Sequence, residues 1–254
     1  MIRIYKGPAP PELLAIELAR TQADKLAFEA NRAGYLSGTQ KFEITDDYKI
    51  SVVKETLLSR QHNKCCYSEA KFSGDFPHVE HFRPKARVDI WGTQTRHYPG
   101  YYWLAYNWIN LFLSKQLINV SYKKNFFPLA DEALRNRCHL DTNLEVNLII
   151  DPGAEDPRDH IRFHNDEPVG ITERGRDNIR ILGLRHSGFE ESRREKLTKL
   201  QAMKELVDVS VAAGLDVNMP LIARTIAILR SSILPDAEFS SMAIDFLSGW
   251  PHLL

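Results

Sequence analysis

Cysteine is scarce in this chain of 254 residues: Cys65 and Cys66 are adjacent and Cys138 stands alone. Neighbouring residues almost never bridge each other, so no disulfide framework is expected and the composition suits a reducing cytoplasm. A surplus of one charge is also missing. Lys plus Arg equals Asp plus Glu at 33 each, so no chain-wide basic field exists and any polyanion site must be local or supplied by a partner. Long apolar runs are absent too. Nothing approaches the ~20 residues needed to span a bilayer, and Met1 to Lys6 lacks the apolar core of a signal peptide. Internal repeats, low-complexity linkers and a Walker lysine motif are likewise lacking, so an ATPase function would have to come from another chain. The expectation is a soluble cytoplasmic protein, long enough to bury a full core as one unit or two closely packed subdomains.

Against this background the local signals are legible. Pro8-Ala9-Pro10-Pro11 breaks an extended start, and Pro11 or Glu12 opens a helix whose apolar face is Leu13, Leu14, Ile16, Leu18 and Leu26, through about Asn31. Asp46 or Asp47 reads as the cap of a second helix carrying Ile50, Val53, Leu57 and Leu58 and ending near Gln61. From Lys64 to about Arg87 the pattern changes to short extended pieces with Gly74 and Pro77 as turn makers, which predicts a hairpin. The rings of Tyr101-Tyr102-Trp103 and Tyr106-Asn107-Trp108 read as core packing, and a helix is expected around Leu117 to Lys124. From Arg174 onward helical periodicity dominates, and Arg193-Arg194-Glu195-Lys196 reads as a solvated face.

The most informative stretch is His78-Val79-Glu80-His81-Phe82-Arg83-Pro84-Lys85. It sets a carboxylate beside an imidazole and follows them with basic residues. Such a pair can hold a divalent cation while the imidazole takes a proton from water, and the cation offsets charge on a phosphate under attack. Asp159-His160-Ile161 lacks the following Pro-Lys and any downstream Asn-Leu, and reads as a loop capped by its own side chains.

An ordered set accompanies that core: Cys65-Cys66-Tyr67-Ser68-Glu69 before it, then Tyr102-Trp103-Leu104-Ala105-Tyr106-Asn107-Trp108-Ile109-Asn110-Leu111, then Asn119, Lys123 and Phe127-Pro128-Leu129. Together these resemble an HNH endonuclease. More narrowly, the chain resembles the PtuB-like nuclease subunits of Septu-type anti-phage defence systems, also found beside some retrons. The likeness continues through Asp151-Pro152, Asp156-Pro157, His160-Ile161 and Phe163 to Ile181-Leu182-Gly183-Leu184 with Arg193 or Arg194.

The resemblance implies an α+β, mostly helical fold in which a ββα-metal (HNH) core, residues 63–130, is inserted between an N-terminal helical part, 1–62, and a mainly helical C-terminal part, 131–254. His81 would be the general base, Glu80 and Asn119 would hold Mg²⁺ or Mn²⁺ as hard oxygen ligands, and Asn110 would brace the loop and orient His81. Arg83, Lys85 and Lys123 would bind phosphate. Four zinc-binding cysteines typical of the family correspond here to Cys65, Ser68, Lys115 and Ile118. One thiolate cannot satisfy a tetrahedral zinc, so structural zinc is expected to be absent, with Lys115 paired to Glu69, Ile118 packed, and Phe72, Phe76, Phe82 and the Trp103 cluster holding the hairpin. The implied activity is hydrolysis of DNA, with RNA as the alternative substrate, beside a separate P-loop ATPase subunit that docks on the helices after about residue 190. Loss of the zinc cysteines keeps a rival open, an inactive HNH-like scaffold or regulatory subunit of an ATPase assembly. A restriction-type nuclease unrelated to defence ATPases is a third reading.

Overall fold

The computed structural model describes residues 1–253. Helix α1 (Pro11–Ala30) starts at a proline, whose fixed φ and missing N–H are no burden in a first turn. The core takes the stripe of Leu13, Thr21 and Phe28, spaced seven or eight residues apart. This corrects the expected face: Leu14, Leu18 and Leu26 are 52, 78 and 58% exposed. Helix α2 (Arg32–Ser37) is capped by the Asn31 side chain. Asp46 and Asp47 do not cap α3 (Ser51–Arg60). They lie in a 3₁₀ turn, Asp46–Lys49, and pair with Lys49 and Arg20, while α3 buries Val53 and Leu57.

Strand β1 (His78–His81) is followed by the two-residue ladder β2 (Val88–Asp89) and β3 (Arg96–His97), and then by β4 (Leu111–Ser114). The partner of β1 is β4, antiparallel, with Glu80 opposite Phe112 and His81 opposite Leu111. The expected local hairpin within 64–87 therefore does not form. Its residues before β1 make a loop closed by a single bridge between Lys64 and Lys71. The apolar run Leu111-Phe112-Leu113, fully buried, gives β1 a partner that the Gly- and Pro-broken stretch cannot. Directly after β4 comes a π-helical segment, Leu117–Lys123, where a helix was expected.

A second hairpin, β5 (Ile161–His164) with β6 (Glu167–Gly170), leads into α4 (Glu173–Ile181). The two pack so closely that a Cβ on Gly175 would lie 2.0 Å from the His160 carbonyl oxygen. His160 itself bonds Thr172 (2.9 Å) and Glu155 (3.3 Å), a bracing role within this loop and hairpin. The chain ends in α5 (Ser187–Ala212), α6 (Pro220–Ser231) and α7 (Ser240–Phe246). Arg193 departs from the solvated reading of its charge run. It is buried and donates to the carbonyls of Asp166 (2.7 Å) and Leu184 (2.9 Å), tying α5 to the preceding elements.

One buried cluster runs from Met1 and Leu13 through Leu111-Phe112-Leu113 to Leu229, Leu247 and Trp250, so all three stretches of the sequence share it. Tyr101, Tyr102, Tyr106 and Trp108 are buried, as the core reading of those rings requires. The architecture is α+β, and among the described residues no helix is long and apolar enough to cross a membrane.

Candidate functional site

The last residue of β1 sets the site. His81 is buried, and its Nε2–H donates to the carbonyl oxygen of Ala105 at 2.8 Å. An oxygen that can only accept fixes the tautomer, leaving Nδ1 as the basic nitrogen. The edge of the imidazole meets the ring of Tyr48 at 4.6 Å and 75°. Burial, with Lys85, Lys123 and Lys49 nearby, pushes the imidazole pKa down to about 3, so the ring is neutral across the physiological range.

Asn110 acts one step away. Its Oδ1 accepts from the Arg83 N–H (2.7 Å), and its Nδ2 donates to the carbonyls of Arg83 (3.0 Å) and Leu104 (3.0 Å). The Phe82 N–H donates to the Asn110 carbonyl at 2.9 Å. Asn110 thus clamps the turn leaving β1 onto the segment that carries Ala105. It does not touch the His81 ring, and the direct orienting contact expected of it belongs to the Ala105 carbonyl.

Glu80 is fully buried, and the Lys123 ammonium sits 2.5 Å from its Oε1 while also donating to the His81 carbonyl at 3.0 Å. The Tyr67 hydroxyl approaches the same oxygen at 3.4 Å. Burial pushes the Glu80 carboxyl pKa up, and Lys123 and Tyr67 hold it back. Lys123 therefore does not reach out to a phosphate; the π-helical segment after β4 delivers it, with none of its side chain exposed, to the end of β1. Arg83 also faces elsewhere. Its guanidinium pairs with Glu145 and lies over the rings of Phe127 (4.7 Å) and Tyr101 (5.0 Å).

A cavity of about 520 Å³ brings His81, Glu80, Asn119 and Lys85 together. Its wall also carries Lys49, Lys54 and Lys124, with Glu80 as the single acidic residue, so a chain of zero net charge concentrates positive potential in one place. Lys85 donates to the Tyr48 hydroxyl at 2.6 Å, and burial beside Lys49 pushes its pKa down to about 8. Lys54 and Lys124 form no ion pair among the described residues. Neither Nδ1 of His81, Oε2 of Glu80 nor the Asn119 side chain has a hydrogen bond among those residues. Three atoms able to accept a proton or a cation are therefore left unpaired around one basic cavity. No group of three or more His, Cys, Asp or Glu is placed to hold a metal among the described residues. A cation here would have one carboxylate, one amide, and water or substrate as ligands, a set compatible with Mg²⁺.

Sequence reasoning missed Tyr48, Lys49 and Lys54, which come from the 3₁₀ turn and α3, and Lys124, which follows the π-helical segment. The only available signal was the density of lysine in otherwise amphipathic text.

The degenerate zinc positions lie apart from this wall. Cys65 is buried, and its Sγ accepts from the Lys115 N–H at 3.3 Å. Burial opposes its ionisation, but hydrogen bonds from Cys66, Ser68 and the Lys115 backbone bring the pKa down to about 6. Ile118 is fully buried, as expected. Lys115 pairs with Asp75, not with Glu69. Glu69 instead receives the Met1 amino group at 2.7 Å and Lys64 at 3.5 Å, and it also accepts from the Ser240 hydroxyl (2.9 Å) and from the Ser241 N–H (3.2 Å) and hydroxyl. Phe72 and Phe82 are buried beside these strands, whereas Phe76 is 91% exposed and holds nothing together.

No protein-family model matches the chain. Comparison with known proteins finds 32% identity over 222 residues with the Septu protein PtuB of Bacillus mycoides strain KBAB4, covering 85% of this chain and 72% of that relative. At that identity and coverage, the chain belongs to the PtuB family.

Proposed function

We propose that this protein is a metal-dependent HNH endonuclease that hydrolyses DNA phosphodiester bonds, acting as the nuclease component of a Septu anti-phage system. The observation that carries the reading is the neutral, buried His81, held through Nε2 and left with an unpaired Nδ1 beside a lysine-lined cavity. A base must be oriented and near a place where phosphate collects, and His81 meets both conditions. Its pKa of about 3 lies below the near-neutral value that suits a general base, and the negative charge of a phosphate seated beside the ring would raise it. The β1–β4 pair followed at once by the π-helical segment supports a ββα-metal core.

His81 takes the proton of the attacking water on Nδ1, while Ala105 holds the ring and Asn110 holds the backbone that presents Ala105. Lys85, Lys49, Lys54 and Lys124 attract and seat the phosphates by charge, without reading bases. Oε2 of Glu80 and Oδ1 of Asn119 would hold Mg²⁺ or Mn²⁺, which supplies charge stabilisation for the phosphate and the departing 3′ oxygen. Lys123 holds Glu80 in place and opposes the rise that burial imposes on its pKa. A P-loop ATPase subunit in trans would dock on α5 and α6, where Leu206, Val209, Leu221 and Ile228 are exposed. Neither a structural zinc nor a membrane partner is part of the proposal.

The ammonium already seated on Glu80 favours a second reading, an inactive scaffold or regulatory subunit, because it neutralises the carboxylate that would hold the cation. Plasmid cleavage separates the two. Wild-type chain with Mg²⁺ or Mn²⁺, alone or with its co-encoded ATPase, is expected to nick plasmid DNA, and His81→Ala to leave it intact. Intact plasmid with the wild type under all of these conditions would favour the scaffold.

A further inference from the structure

Phe76 is 91% exposed, more than any other large apolar side chain described. It follows the Phe72–Asp75 turn, closed by the Asp75 N–H on the Phe72 carbonyl at 3.1 Å, on the short segment that enters β1, and it has no ring partner among the described residues. Packing therefore gives no reason for an aromatic here. Its location does, because Phe76 lines the same cavity as His81, Lys54, Lys85 and Lys124.

An aromatic ring in a basic groove is how proteins hold nucleic acid whose base faces are accessible: lysines track the backbone and the ring stacks on a base, with little regard to sequence. In a continuous duplex both faces of each base are covered by neighbours. A ring at the mouth of a cavity meets a base face only where a base has left the stack or was never paired. The volume, about 520 Å³, lies within the range of sites that enclose a ligand of nucleotide size. Resting on the nuclease reading of His81, we infer that Phe76 is a stacking platform for an unpaired base, and that the cavity takes single-stranded or locally unpaired nucleic acid in preference to continuous duplex.

The test measures binding apart from cleavage. Full-length His81→Ala protein, blocked in the chemical step, is titrated against fluorescently labelled single strand, duplex and bulged duplex, each made as DNA and as RNA. The same is done for the double variants His81→Ala/Phe76→Ala and His81→Ala/Phe76→Trp. The expected result is tighter binding of the single strand and the bulge than of the duplex. Phe76→Ala should weaken the first two by roughly tenfold and duplex by less than about twofold, while Phe76→Trp retains the preference. Equal affinity for all three forms, a preference for duplex, an equal loss on every form in Phe76→Ala, or no binding at all would overturn the inference. The DNA and RNA arms identify which source of unpaired bases the site takes. Cleavage of the same oligonucleotides by wild-type protein and by Phe76→Ala is run alongside. Its failure with binding preserved would count against the nuclease reading and leave the stacking inference standing.

Discussion

Two regions beside the β1–β4 pair treat their polar atoms in opposite ways. At the cysteine corner every group is accommodated: Cys65 accepts from the Lys115 backbone, Lys115 reaches Asp75, Glu69 takes the Met1 amine and Lys64, and Ile118 fills apolar space. In the cavity, Nδ1 of His81, Oε2 of Glu80 and the Asn119 side chain have no hydrogen-bond partner among the described residues, and four lysines are drawn together against mutual repulsion. Saturated polar groups hold a fold. Unpaired acceptors among like charges cost stability, and they persist where something else is meant to complete them. Lys123 belongs to both kinds, a structural cation seated on Oε1 of Glu80, whose Oε2 has no hydrogen bond among the described residues.

The strongest way to break this contrast is at the base. His81→Ala should lower the cleavage rate by about 10²–10⁴, measured under single-turnover conditions; an unchanged rate would move the chemistry elsewhere. Next, Lys123→Met strands a buried carboxylate and should destabilise the fold by about 3–5 kcal/mol in urea unfolding. Glu80→Gln in the same chain should recover much of that loss, and no recovery would mean that the ion pair is not the cause. At the cysteine corner, Ile118→Ala should cost about 2–5 kcal/mol by leaving a void in a packed site, whereas a cost below about 1 kcal/mol would show that the corner is loosely filled.

Asp24 sharpens the contrast by showing an unpaired acceptor outside the cavity. Its Oδ2 is buried without a hydrogen bond among the described residues, and burial pushes its pKa up to about 6 despite Arg20. The folded state therefore holds this proton more tightly than the unfolded chain, whose value is near 3.9. Stability from this group is fully present below about pH 4 and is lost as pH rises through about 6. Asp24→Asn should raise stability by on the order of 1 kcal/mol at pH 7 and leave it unchanged near pH 3.5; a gain at both values would point to another cause. The smallest effect is expected from EDTA, which should leave the Tm of the purified chain unchanged, since the corner is held by packing; a fall of several degrees would reveal a structural metal.

Much of this was readable from sequence where the determining interaction is local. Pro11 marks the start of α1 because proline constrains its own φ, and the adjacency of Glu80 and His81 places both at the end of one strand. The pairing of β1 with β4 was not readable, because it joins residues some thirty positions apart and depends on Leu111-Phe112-Leu113 being buried on both faces. Lys123 and Arg83 show the same limit from the side-chain end. A lysine or arginine reads as solvated until its counter-charge is placed, and Glu80 and Glu145 arrive through tertiary contacts. Lys49 and Lys54 were invisible as site residues for the related reason that they enter the cavity from elements some thirty residues before His81.

The central claim is that His81 activates water for phosphodiester hydrolysis in this cavity. The most direct measurement is a single-turnover time course on an end-labelled oligonucleotide with Mg²⁺, comparing wild type with His81→Ala and identifying the product ends. The account predicts 5′-phosphate and 3′-hydroxyl ends that form with the wild type and fall by at least about a hundredfold in the variant. Equal rates from the two proteins, or ends carrying a 3′-phosphate, would contradict it.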